Sequence, residues 1–166
     1  MKHKQLESFN LDHTKIVAPY VRHSKTMPVP ESNYEINVYD FRLKTPNIVL
    51  LTPQTIHTLE HLLATAIRTV FPERCPGCKV IDLSPMGCRT GFYVTILSPV
   101  GGLALQQVTD AMKALIPEAH AIEELPGATI ETCGGYLEHD FDDAKRELVL
   151  LMKQELVALQ NPPFLS

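Results

Sequence analysis

The chain has 166 residues, 45% of them hydrophobic and 20% charged, a size and balance that suit one domain around a single sizeable core. A formal net charge of −4 lacks the basic footprint of a nucleic-acid binder, and no apolar run reaches the length of a membrane span. Two lysines open the N-terminus without an apolar stretch behind them, so no secretory signal is expected, and the cytoplasm is the expected address.

In chain order, residues 14–33 hold three of the thirteen prolines and little periodicity, and are expected to wander over the surface. Residues 34–44, YEINVYDFRLK, alternate apolar and polar side chains, the mark of a half-buried strand. A helix should follow. Thr52 can cap it, Pro53 suits its first position, and Ile56, Leu59, Leu63, Ile67 and Val70 recur at helical spacing until Pro72 stops the run. Residues 78–85 and 91–98 read as two strands joined through MGCRT. Amphipathic helices are expected over 103–116 and 140–159, the second with acidic residues in its first turn, where the helix dipole favours them. The pattern predicts an α+β fold, a mostly antiparallel sheet packed with helices in a two-layer single domain spanning 1–166.

Within the long helix, residues 56–61 read IHTLEH. His57 and His61 lie one turn apart on one face, close enough to share an ion, and Glu60 points to the same side. Glutamate beside a metal is placed as a proton carrier. Two histidines rarely suffice, and the four cysteines offer more ligands. Cys75 and Cys78, in CPGC, would give a closed structural site, although Pro-Gly also makes an ordinary turn. Cys133, in IETCGGYLEHD, follows a β-prone stretch and precedes two glycines, so a turning backbone could lean it over the helix. A His2Cys set would leave one position open for chemistry, while a buried core thiol is the plainer reading of the same residue. Cys88 sits on a tight connection between strands, where Arg89 and a nearby cation would favour a reactive thiolate. A small buried thiol at a turn is the alternative.

Taken together, ESFNLDHTKIVAPYVRH (7–23), YDFRL (39–43), IHTLEHLLATAIR (56–68), DLSPMGCRTGFY (82–93) and ETCGG (131–135) closely resemble the bacterial S-ribosylhomocysteine lyase family, LuxS. The resemblance covers nearly the whole chain, and SPMGCRTGFY is its most specific part. It implies a cytoplasmic homodimer with the active site at the subunit interface. It implies a divalent ion, ferrous iron with zinc or cobalt able to substitute, held by His57, His61 and Cys133. Glu60 and Cys88 would be the general acid/base pair. Ser8 and His13 would lie at the ribose, Arg42 would be a further active-site arginine, and Arg68 and Asp82 would grip the amino-acid end of the substrate. The implied reaction cleaves S-ribosylhomocysteine to homocysteine and 4,5-dihydroxy-2,3-pentanedione, the autoinducer-2 precursor, by two aldose–ketose shifts and a β-elimination.

CPGC has no place in that pattern and reads as an oxidisable surface turn. His3, His23, His120 and His139 match no motif role and are expected to be exposed or merely hydrogen-bonded. Two rival readings of the residues exist. One is an H-x-x-E-H metallopeptidase with Glu131 or Glu138 as third ligand. The other is a zinc-stabilised binding module built on His57, His61, Cys75 and Cys78.

Overall fold

The computed structural model describes residues 9–165, so Ser8 lies outside the described residues. Alternation in the second strand has the expected effect. In β2 (Tyr34–Arg42), Tyr39 and Phe41 are buried on one face, and Asp40 and Arg42 are buried on the other. It pairs antiparallel with β1 (Tyr20–Pro28) and with β4 (Gly91–Pro99), and β4 pairs antiparallel with β3 (Lys79–Pro85). A short β5 (Val157–Ala158) runs parallel to β1, giving the order β3-β4-β2-β1-β5. The fold is α+β with a mostly antiparallel sheet, as expected.

Residues 20–28 are a strand instead of the expected surface segment. A bulge between His23 and Lys25 shifts the register, which erases any simple alternation from the sequence.

Helix α1 (Pro53–Arg74) begins as its cap residues require. Thr52 Oγ1 accepts the Thr55 N–H at 3.1 Å, and proline takes the first position. Ile56, Leu59, Leu63, Ile67 and Val70 are all buried. Pro72 does not stop the helix. It removes one hydrogen bond near the end, while burial of Phe71 and the Cys75 N–H bond to the Phe71 carbonyl hold the last turn. Helix α2 (Leu105–Ala121) likewise runs past Pro117, with Ala119 fully buried beyond it. Helix α3 (Phe141–Met152) ends seven residues before the expected limit of 159. The inward period that buries Leu148 and Leu151 next falls on polar Gln154 and Glu155, so the helix stops. Leu156 then enters the core and the chain pairs with β1.

One hydrophobic cluster joins the helices to the sheet face that carries Val21, Tyr39, Phe41, Leu83, Phe92, Val94 and Ile96. The other face has two parts. Near the ends of β1 and β2 it is polar and buried, with Tyr20, Arg22, Asp40 and Arg42 in register. Toward the other end it is apolar and partly open, where Met27 faces Ile36, Ile36 faces Leu97, and Met27 is 43% exposed.

Gly91 starts β4 close against the central strand β2. A Cβ there would stand 2.3 Å from the Phe41 carbonyl oxygen and 2.8 Å from Arg42 Cα, both backbone atoms of the central strand. Gly91→Ala is therefore expected to destabilise the fold by about 2–3 kcal/mol. An unchanged urea midpoint would refute this.

Candidate metal centre

Helix α1 sets His57 and His61 one turn apart, and their ring centroids lie 4.9 Å from each other at 81°. Each ring is fastened on its far side by a backbone carbonyl, which can only accept. His57 Nδ1 donates to the Glu138 carbonyl at 2.9 Å, and His61 Nδ1 donates to the Pro126 carbonyl at 2.7 Å. With Nδ1 protonated, both Nε2 lone pairs are bare, as metal ligands must be. Both carbonyls belong to the turn-rich segment 122–140 between α2 and α3. Its course over α1 uses Gly127 at φ +67°, close against the His61 ring.

The same segment carries Cys133, with its Sγ 3.4 Å from His57 Nε2 and accepting the Gly135 N–H at 3.4 Å. The stretch before Cys133 is a series of turns, in place of the β-structure suggested by its residues. His139, at the end of the segment, brings Nε2 within 3.8 Å of Cys133 Sγ. The ligand atoms of His57, His61, Cys133 and His139 all lie within 4.8 Å of one another. Two or three imidazoles and a thiolate, each half-buried, make a donor set that fits a borderline divalent ion such as ferrous iron, cobalt or zinc. Burial first, and then the adjacent His57 and His61 rings, push the His139 pKa below the usual imidazole range. That keeps it in the neutral form that can ligate. Glu60 stands beside this group, with Oε2 3.7 Å from His61 Nε2.

A second group of reactive side chains lies on the sheet face away from α1. Asp40, fully buried, grips Arg42 at two points, accepting from Nε at 3.1 Å and from Nη2 at 2.7 Å. Tyr20 and Arg22 also face this carboxylate, at 3.1 and 3.7 Å. The grip leaves the other end of the guanidinium, Nη1, aimed at Thr90 Oγ1 at 2.7 Å and at Cys88 Sγ at 3.6 Å. Thr90 Oγ1 lies 3.0 Å from the same sulfur. Burial alone would lower the Arg42 pKa, but the Asp40 charge, its hydrogen bonds and Tyr20 together outweigh it and hold the guanidinium above its ordinary value. Tyr20 is pushed above its ordinary range by burial and by Asp40, so it stays a phenol.

The family model described as S-ribosylhomocysteinase (LuxS) matches residues 6–161. Curated S-ribosylhomocysteine lyases from two strains of Thermus thermophilus are each 44% identical over 142 residues, covering 85% of this chain and 84% of theirs. The chain belongs to the LuxS family.

Against the LuxS pattern, the structure brings His57, His61, Cys133 and Glu60 together, and brings Arg42 to Cys88. Among the described residues, Arg68, Asp82 and His13 make other contacts. Exposed Arg68 on α1 turns back to donate to the Ala64 carbonyl. Asp82 accepts from Ser84 on the sheet face away from α1, in register with Thr95. His13, half-buried, donates through Nδ1 to the Leu11 carbonyl at 2.8 Å.

Sequence reasoning missed His139. Its spacing from Cys133 within one loop, C-x5-H, was the available signal. The CPGC reading also needs correction. Pro76 and Gly77 do make an exposed turn, closed by the Cys78 N–H donating to the Cys75 carbonyl at 3.1 Å, but the Cys75 and Cys78 side chains are buried in the main core, 0% and 7% exposed, so neither is an oxidisable surface thiol. They cannot complete the histidine site either, since Cys75 ends α1, ~27 Å along the axis from His57. The zinc-stabilised module thus has no geometry here. The metallopeptidase reading fails on its third ligand. The Glu138 carboxylate accepts from Gln54 at 3.0 Å, and the place beside the histidines belongs to Cys133.

Burial, and then Cys78, push the Cys75 pKa up to about 11, and burial raises Cys78 as well, so both are protonated at pH 8. Of the four free thiols, exposed Cys88 and half-buried Cys133 should therefore react fast with Ellman's reagent in native metal-free protein at pH 8. Metal loading should protect Cys133, leaving one fast thiol. Fast labelling of Cys75 would overturn that assignment.

Proposed function

We propose that this chain is a metal-dependent lyase that cleaves S-ribosylhomocysteine to homocysteine and 4,5-dihydroxy-2,3-pentanedione. One observation carries the reading. His57, His61 and Cys133 converge with bare donor atoms beside Glu60, in a chain whose relatives bear the name S-ribosylhomocysteine lyase. His57, His61 and Cys133 would hold the ion, ferrous iron in the cell, with zinc or cobalt able to replace it. When bound, the ion supplies Lewis-acid stabilisation of the charge that develops on the sugar oxygens.

The substrate's own chemistry defines the work of the side chains. Its sulfur sits on ribose C5 and leaves readily only when β to a carbanion that a carbonyl stabilises. The carbonyl begins at C1, so two aldose–ketose shifts must bring it to C3, making C4 acidic and C5 the β carbon. Each shift removes a proton from one carbon and returns one to its neighbour. Glu60, next to the donor set, is the base placed to move protons on that side. Cys88 is the second carrier, with Arg42 Nη1 3.6 Å from its sulfur. Elimination then expels homocysteine thiolate from C5. Ser8 and His13 would seat the ribose, and Arg68 and Asp82 would hold the amino-acid end.

The enzyme works as a cytoplasmic homodimer with its active site at the interface. Three features support this reading. Arg42 and Asp82 lie on the sheet face away from α1, so one protomer's metal group needs a partner's sheet to complete it. The apolar part of that face, with Met27, Ile36, Val38 and Leu97, has no helix over it among the described residues and suits a second copy. No described helix is long and apolar enough to cross a membrane. Each protomer acts as a single domain, since one core cluster joins all three helices to the sheet.

Metal-replete protein incubated with S-ribosylhomocysteine should release free thiol. Glu60→Gln and Cys88→Ser should each lower that rate by about 100-fold or more while keeping the metal. Wild-type protein that binds metal yet releases no thiol would sink the lyase reading. Light scattering should give twice the chain mass, and Ile36→Lys should yield monomers without activity. A fully active monomer would refute the shared site.

A further inference from the structure

We infer that Thr90 is a positioning residue for the reaction, its hydroxyl following the Cys88 proton and holding the sulfur in place in both protonation states. The inference rests on the acid/base role proposed for Cys88 and deepens it.

A proton carrier works as thiol and as thiolate in turn, and the two forms ask opposite things of a neighbour. The thiol has a hydrogen to give, whereas the thiolate only accepts. Arg42 serves the thiolate alone, because a guanidinium can only donate, and its Nη1 lies 3.6 Å from Cys88 Sγ. Thr90 Oγ1 lies closer, 3.0 Å from the same sulfur, and a hydroxyl both donates and accepts. Arg42 Nη1 donates to Thr90 Oγ1 at 2.7 Å and so occupies one of its lone pairs. One hydrogen and one lone pair are left for Cys88. Thr90 accepts the S–H of the thiol through that lone pair, and donates its O–H to the thiolate. When Cys88 gives its proton to a substrate carbon, rotation about the Thr90 C–O bond exchanges one hydrogen bond for the other. No proton passes to or from Thr90 itself.

The backbone keeps the two side chains together. Arg89, between them, has φ +57°, the left-handed region that a residue with a side chain adopts only where its surroundings fix it. Its N–H donates to the Met86 carbonyl at 2.8 Å, and its carbonyl accepts the Leu51 N–H at 3.0 Å. This curl draws residues 88 and 90 closer than an extended strand would hold them. Thr90 is buried, and its carbonyl accepts from both the Leu43 and the Lys44 N–H at 2.9 Å. The chain just after β2 thus fixes the Thr90 backbone, while Arg42 at the end of β2 fixes its hydroxyl. Cys88 is exposed on its turn, so a sulfur that must reach a substrate carbon gains its aim from this fixed neighbour.

Thr90→Val and Thr90→Ala remove the hydroxyl in two shapes, and Thr90→Ser restores it. With S-ribosylhomocysteine, both hydroxyl-free variants should lower kcat about 10- to 100-fold at unchanged KM and metal content, the size of one hydrogen bond to a charged group. Alkylation of Cys88 by iodoacetamide in metal-loaded protein at neutral pH needs no turnover and should slow by a similar factor. Thr90→Ser should recover most of both rates. Valine and alanine variants that keep both rates would overturn the inference. A loss that serine does not repair would make Thr90 a packing residue and overturn it as well. Wild type that releases no thiol would sink the lyase reading, and the alkylation rates would then decide alone whether Thr90 holds the sulfur.

Discussion

Two hydrogen bonds, from His57 and His61 to the carbonyls of Glu138 and Pro126, fasten the segment between α2 and α3 across helix α1. They link covalent chemistry to shape. Each bond settles which ring nitrogen keeps its proton and therefore where the lone pair points. Each also brings down a loop that would otherwise leave α1 uncovered, and that loop carries Cys133 and His139. Without the helix there would be no common face for the two histidines, and without the carbonyls their rings would rotate freely. The cap at Thr52 and the apolar stripe from Ile56 to Val70 matter for the same reason, since they fix the turn on which the donors stand.

A comparable constraint operates on the opposite side of the sheet, around the buried Asp40 carboxylate. A charge in that position is costly unless it is fully engaged, and Arg42, Arg22 and Tyr20 all face it. The two-point grip on Arg42 locks the plane of the guanidinium, so its remaining nitrogen reaches Thr90 and the Cys88 sulfur. Strand register thus becomes orientation of a reactive thiol. A one-residue slip between β1 and β2 would send Tyr20 and Arg22 to the helix side and leave Asp40 without them.

These two centres have different physical characters. The metal group is half-buried, with His57, His61 and Cys133 each held by a backbone atom, while the Cys88 group rests on a buried network of formal charges. They also lie on opposite sides of one sheet, the metal group over α1 and the Cys88 group on the face away from it.

Local signals in the sequence were enough for several features. Cap chemistry and the 3.6-residue stripe gave α1, alternation gave β2, and the spacing of His57, Glu60 and His61 gave half a metal site, because each depends only on near neighbours along the chain. Strand β1 and the end of α3 were harder. A bulge and a polar break in the inward period decided them, and both depend on what the segment packs against. Motif resemblance, not spacing, supplied Cys133 as the third donor. Only tertiary structure put Cys75 and Cys78 in the core and His139 at the metal group. The reason is physical: burial and convergence are properties of distant segments meeting, and a thiol or an imidazole has the same local sequence signature whether it meets water, a core or an ion.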